Sequence, residues 1–226
     1  MNVKKEEWAQ NMTVTFHTGA LHTKDNSVES VKTAVESGAQ ITEIDVSFRP
    51  DLTPVMIHKE NPSQDEGEFI YKALEIVKTS PDCKINLDLK STANLKGLEE
   101  LIKEYGLYER VFYTGVFDTW TEKVKADSTI PYYLNHTISL KEGLDAKAAQ
   151  KVADKAKALG AIGVNSNYIT ATKLFCDVMH RNGLLVSLWT VNIECDMKKV
   201  LSFNVDNITT ERPSALYDIM KKLGYC

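Results

Sequence analysis

Short apolar runs alternate with longer amphipathic ones along the whole chain, and eight such pairs can be marked out. The apolar runs are 13–18 (TVTFHT), 41–46 (ITEIDV), 84–90 (KINLDLK), 111–116 (VFYTGV), 131–135 (PYYLN), 161–165 (AIGVN), 184–189 (LLVSLW) and 205–209 (VDNIT). They read as strands, and the intervals near 27–37, 67–79, 95–105, 119–127, 145–158, 170–182, 194–202 and 214–223 read as helices. Punctuation agrees. Asn26 or Ser27 can cap the first helix, and Gly38, Gly106, Gly160 and Gly183 follow helices where a left-handed residue fits. Eight strand–helix units predict a (β/α)8 TIM barrel, a single domain spanning residues 1–226. The competing doubly wound sheet usually carries a glycine-rich phosphate turn after its first strand, and none is present.

One interval breaks the rhythm. Pro50 and Pro54 bracket a turn after the second strand, and VMIH (55–58) reads as a short extra strand. A hairpin at the barrel mouth, ending on His58, is expected.

Side chains alternate across a strand. Glu43 and Asp45 therefore share one face while Ile44 and Val46 share the other; Asn86, Asp88 and Lys90 likewise oppose Ile85, Leu87 and Leu89. A half-exposed antiparallel strand has the same pattern. The long helical intervals favour parallel strands instead, whose apolar faces meet helices and whose polar faces point into the barrel. The acids lie near the C-terminal strand ends, where barrel enzymes place their chemistry.

Three buried carboxylates cannot all stay ionised without compensation, so Glu43, Asp45 and Asp88 imply a cation or protonated acids. An all-oxygen ligand set suits one divalent cation, Mg²⁺ or Ca²⁺ with Mn²⁺ also acceptable, rather than zinc. Lys90 adds a cationic spot suited to an anionic substrate. His17, at a strand end, and His58 can exchange protons near neutrality. Trp189, also at a strand end, reads as a wall of the site, and Phe117 as a packing residue able to reach the rim. His22, His136 and His180 read as structural or exposed.

A net charge of −4 argues against a broad nucleic-acid footprint. The four cysteines are far apart, with no CxxC pair, so reduced thiols in a cytoplasmic protein are the simpler reading. The N-terminus, MNVKKEEWAQNM, is too charged for a signal-peptide core, although a trimmed leader stays open, and no apolar run reaches the length of a membrane span.

Taken in order, these residues resemble the glycerophosphodiester phosphodiesterase family. Its first-strand His-Arg-Gly is matched by His17-Thr18-Gly19, its Asn-Ser/Thr helix start by Asn26-Ser27, and its Glu-x-Asp strand by Glu43-x-Asp45. Its His-Asp becomes His58-Lys59, its acid-x-Lys strand Asp88-x-Lys90, and its Trp-Thr-Val-Asn Trp189 to Asn192. The closing segment resembles Asp206 to Pro213. The resemblance implies a TIM barrel, a divalent cation on Glu43, Asp45 and Asp88, a catalytic pair His17 and His58, and Lys90 on the phosphate. It implies hydrolysis of a small glycerophosphodiester to glycerol 3-phosphate and an alcohol, a step of lipid and glycerol metabolism.

Four departures stand out, one of them Asp88, which is shorter than the glutamate the family often has as its third metal acid. Thr18 replaces a phosphate-binding arginine and offers one hydrogen bond without charge. Lys59 replaces an aspartate and reads as a solvent-facing loop residue. The inserted subdomain that follows the second histidine in the family is reduced to about residues 59–70. Two alternatives follow: a degenerate barrel that binds metal or phosphate with little turnover, or a related phosphodiesterase acting on phospholipid head groups. The second predicts an exposed apolar rim or membrane affinity.

Overall fold

The computed structural model describes residues 12–225. Its strands are β1 (Thr13–Phe16), β2 (Ile41–Phe48), β3 (Pro54–Met56), β4 (Glu68–Phe69), β5 (Lys84–Leu89), β6 (Val111–Val116), β7 (Tyr132–Asn135), β8 (Gly163–Asn167), β9 (Leu185–Trp189) and β10 (Asn207–Thr210). All but β3 and β4 run parallel, each beside its neighbour in sequence, and β1 closes the circle by pairing with both β10 and β2. The expected (β/α)8 barrel is the fold. Outside it lie α1 (Val28–Glu36), α2 (Ile70–Lys78), α3 (Leu95–Glu104), α4 (Thr121–Asp127), α5 (Leu140–Leu144), α6 (Ala146–Leu159), α7 (Lys173–Arg181), α8 (Glu194–Leu201) and α9 (Pro213–Leu223).

The helices form where apolar residues recur at helical spacing and cap residues stop the frame from sliding. In α3, Leu95, Leu98 and Ile102 are completely buried, and the Asn94 side chain accepts the Gly97 N–H at the N-terminus. Truncating Leu98 to alanine is expected to cost about 2–5 kcal/mol. Ser27, rather than Asn26, caps α1 by accepting the Ser30 N–H at 3.1 Å. In α6, Ala149, Ala153 and Ala156 are buried and let the helix pack close to its neighbours.

Two features depart from the predicted layout. The hairpin after β2 is present, with Val46 opposite Met56, but β4 adds a further strand against β3 and delays α2 to Ile70. The helix α5 was not expected. Five residues are too few for periodicity to register, yet Ser139 and Glu142 carry its signature, a reciprocal capping box.

Inside the barrel the polar faces meet. Glu43 stands opposite Asn86 and Asp45 opposite Asp88, in register on β2 and β5. Thr15, Asn207 and Ser187 form a buried hydrogen-bonded chain lower down. Gly115 is required at the β6 bulge. Its φ is +73°, and a Cβ there would lie 2.4 Å from the Leu89 carbonyl oxygen.

Candidate active site

Strand alternation on β2 and β5 aims three carboxylates at one point. Glu43, Asp45 and Asp88 each offer an oxygen, and these atoms lie within 4.8 Å of one another. Glu43 and Asp45 are buried. Asn26, just before α1, holds Asp45, its Nδ2 donating to Oδ2 at 2.7 Å. Thr114 on β6 donates to Asp88 at 2.6 Å, and the Thr18 backbone N–H donates to Glu43 at 2.9 Å. Every carboxylate thus has a neutral donor that fixes its orientation.

Charge is less balanced. Lys90 forms ion pairs with Asp88 and, at 3.0 Å, with Asp45. Burial alone would lower its pKa, but the two aspartates reverse this and keep it protonated. Glu43 has no such partner. Burial pushes its pKa up, and repulsion from Asp45 and Asp88 adds to the rise, opposed by His17. A hard divalent cation fits this donor set: it would meet clustered, oriented carboxylate oxygens and remove the repulsion that favours a protonated Glu43.

His17 follows β1. Its Nδ1 lies 2.7 Å from the Thr18 carbonyl, which can only accept, so Nδ1 carries the proton. In the neutral ring Nε2 is then the free acceptor, and it lies 3.9 Å from Glu43. Burial opposes protonation of this ring, but Glu43, the Thr18 carbonyl, Asp45 and Glu211 together raise its pKa. His58 leaves the hairpin after Ile57, whose N–H donates to the Asp45 carbonyl at 3.0 Å. That bond lays the hairpin end over the acids and leaves His58 exposed beside them.

His17, His58, Glu43, Asp45, Asp88, Lys90 and Trp189 all line one cavity of about 510 Å³ at the C-terminal ends of the strands. A larger cavity, about 690 Å³, opens at the opposite end beside Thr13, Lys84 and Arg110 but, among the described residues, holds no comparable acid cluster. Thr18 is not brought into the catalytic-end cavity. It is 2% exposed, and its hydroxyl accepts the Asn26 backbone N–H beneath the acids. Lys59 pairs with Glu66 at 2.7 Å on an exposed loop, as expected of a solvent-facing lysine. Asn192 ties the loop after β9 to Glu211 rather than facing the cavity.

The expectation for His136 needs correction. It lines the cavity, with Nε2 3.2 Å from Glu142, because it directly follows the C-terminal end of β7 at Asn135. Trp120, packed edge-on to Phe117, also lines the mouth and was missed. Their signal is positional: each follows closely on the C-terminal end of a barrel strand.

The chain matches the sequence model of the glycerophosphoryl diester phosphodiesterase family over residues 61–215. A protein of Caldanaerobacter subterraneus subsp. tengcongensis named glycerophosphodiester phosphodiesterase is 25% identical over 237 aligned positions, covering 88% of this chain and 93% of that protein. A crystal structure of a glycerophosphodiester phosphodiesterase from Parabacteroides distasonis superposes with a TM-score of 0.72 at 20% identity, covering 95% of this chain and 98% of that one. An Oleispira antarctica phosphodiesterase in complex with the product sn-glycerol-3-phosphate superposes with a TM-score of 0.77 at 16% identity, with the same coverage of 95% and 98%. With a match over residues 61–215, well beyond half its length, the chain belongs to the glycerophosphoryl diester phosphodiesterase family.

Proposed function

We propose that this chain hydrolyses a small glycerophosphodiester to glycerol 3-phosphate and an alcohol, with Glu43, Asp45 and Asp88 holding one divalent cation and His17 and His58 exchanging protons. The observation that carries the reading is the meeting of three carboxylates within 4.8 Å in the same cavity as both imidazoles and Lys90. The relatives named glycerophosphodiester phosphodiesterase, and the one holding glycerol 3-phosphate, support the choice of substrate.

A phosphodiester is an anion that repels nucleophiles. The cation, when bound, withdraws charge from the phosphoryl oxygens. Lys90, protonated and close to Asp45 and Asp88, adds a fixed positive charge beside them. The neighbouring glycerol hydroxyl lies close to phosphorus and attacks first, expelling the alcohol; water then opens the cyclic phosphate. One imidazole removes the proton of the attacking oxygen and the other protonates the departing one. The Thr18 carbonyl keeps His17 in the tautomer that leaves Nε2 free to receive a proton.

Release of glycerol 3-phosphate from glycerophosphocholine tests this directly. Activity is expected with Mg²⁺, Ca²⁺ or Mn²⁺, to vanish on chelation, and to fall at least about a hundredfold in His17→Ala and Glu43→Gln. Equal rates for wild type and His17→Ala would remove the imidazole from the mechanism. Tight cation binding with no turnover of any phosphodiester would leave a binding barrel instead.

A further inference from the structure

The larger cavity, about 690 Å³ at the N-terminal end of the barrel, is walled by the opening residues of the strands. Thr13, Ile41, Lys84 and Leu185 begin β1, β2, β5 and β9, and Phe112 and Tyr133 stand second on β6 and β7. Lys84 shares the inward face of β5 with Asn86 and Asp88, because side chains alternate along a strand. Gly163, first on β8, makes room for the Tyr133 ring: a Cβ there would lie 2.8 Å from it.

Hydrogen-bond donors gather here without acceptors. Tyr133 is 7% exposed, and its hydroxyl has no hydrogen-bond partner among the described residues. Among those residues only Trp189 Nε1 combines that lack with complete burial, so the Tyr133 hydroxyl opens into the cavity it lines. Burial and the nearby Asp206 push its pKa up, which keeps the phenol a donor. The Lys84 side chain is exposed and pairs with no carboxylate among the described residues. Arg110 Nη1 donates to the Ser80, Pro81 and Cys83 carbonyls, which anchors the guanidinium at the rim and leaves Nε and Nη2 without an acceptor among the described residues. Acceptors are scarcer. Asp206 Oδ2 already takes the Val186 N–H at 2.6 Å and lies 2.8 Å from His180 Nε2, and Glu109 sits exposed on the edge. Between these groups the wall is apolar, with the Phe112 and Tyr133 rings 5.5 Å apart and tilted by 59°.

We infer that this end of the barrel is a second binding site, and that it takes a small aromatic monocarboxylate. A ligand filling the cavity cuts the phenol off from water, so it must offer an acceptor in return. A carboxylate does this with a charge-assisted bond, and Lys84 and Arg110 place positive charge beside it. The tilted ring pair leaves faces and edges for a third ring to pack against. The volume lies within the range of sites that bind small molecules. The site lies across the barrel from the acid cluster and rests on none of the chemistry proposed there.

An NMR titration of the full chain with phenylpropanoate tests this. Phenylpropanamide keeps the ring and loses the charge, and phenylalanine adds an ammonium. Wild type is expected to bind phenylpropanoate at one site with a Kd of about 1 mM or below, and the amide at least about tenfold more weakly. Tyr133→Phe is expected to weaken phenylpropanoate about tenfold. Lys84→Gln is expected to weaken it about threefold, an effect that shrinks at high salt. Lys84 is exposed, so its variant keeps the fold, and the amide comparison needs no variant at all. Lys90→Gln, at the catalytic end, is expected to bind as wild type does. Wild type that binds no phenylpropanoate overturns the site, and binding that appears only in Trp8→Ala would give the cavity to the segment ahead of Met12. Equal affinity for the amide, or tighter binding of phenylalanine, overturns the monocarboxylate. Loss of binding in Lys90→Gln with none in Tyr133→Phe puts the anion at the catalytic end and overturns the assignment.

Discussion

Asn26 grips Asp45 from both ends of one amide: Nδ2 donates to the carboxylate at 2.7 Å, and Oδ1 accepts the Asp45 backbone N–H at 2.9 Å. The residue itself sits at φ +52°, a conformation asparagine tolerates better than most side chains. It thus fixes one of the three clustered acids from a position that reads, in sequence, as a helix start.

Asn26→Gly separates these roles, because glycine accepts the backbone conformation and removes both hydrogen bonds. Losing a partner that orients a ligating carboxylate typically weakens metal binding about 10–100-fold. Calorimetric titration with Mg²⁺ or Ca²⁺ is expected to show a loss of that size with the fold intact by circular dichroism. Unchanged affinity would mean that strand β2 alone positions Asp45.

Lys90 faces the opposite test: it pairs with Asp45 and Asp88, so under the proposed function it would compete with a cation for them while helping to hold phosphate. Lys90→Gln removes a positive charge about one ion-pair distance from two of the proposed ligands. Cation affinity is expected to rise at least about fivefold. Over the same change, kcat/KM is expected to fall about 10²–10³-fold through loss of charge opposite the phosphoryl group. A variant in which both quantities fall together would show that Lys90 orders the ligands rather than balancing them.

Away from the site, Glu99 supports a pH prediction. It is buried on α3 and accepts from Lys103, the Ser128 hydroxyl and the Thr129 N–H, each at 2.6 Å. Burial alone would raise its pKa, but these donors outweigh it and bring it down to about 2 from an ordinary 4.5. A depressed carboxylate stabilises the folded state above its unfolded pKa, and this stabilisation is lost as pH falls from about 4.5 toward 2. Glu99→Gln is therefore expected to unfold about 2–3 kcal/mol more readily than wild type at neutral pH, by urea titration. The gap is expected to narrow steadily below about pH 4.5. A gap of constant size would assign it to packing.

Strand alternation made the barrel and the acid cluster legible, because Glu43, Asp45, Asp88 and Lys90 sit on regular strands whose facing follows from a period of two. The connections obey no such period. Asn26 reaches Asp45 across 19 residues, and Glu142, through its own cap at Ser139, reaches back to His136. Those pairings depend on which strand ends lie side by side, and no local pattern encodes that. β4 and α5 escaped for a different reason, being two and five residues long and too short to express a period.

Thr18 carries this difference into a substitution. Aligned with an arginine that contacts phosphate in the family, it invites Thr18→Arg as a gain of binding. The structure gives that side chain little room: Thr18 is 2% exposed, and its hydroxyl supports the turn that brings Asn26 to Asp45. A guanidinium must either displace this support or thread past Glu43 into the cavity. Overpacking and loss of the Asn26 contact are expected to cost about 1–3 kcal/mol. At roughly 2–4 °C per kcal/mol for a chain of this size, Tm falls by several degrees, with weaker cation binding. Wild-type Tm with a lower KM for glycerophosphocholine would overturn this, showing that the backbone at Thr18 leaves an arginine a path to the phosphate.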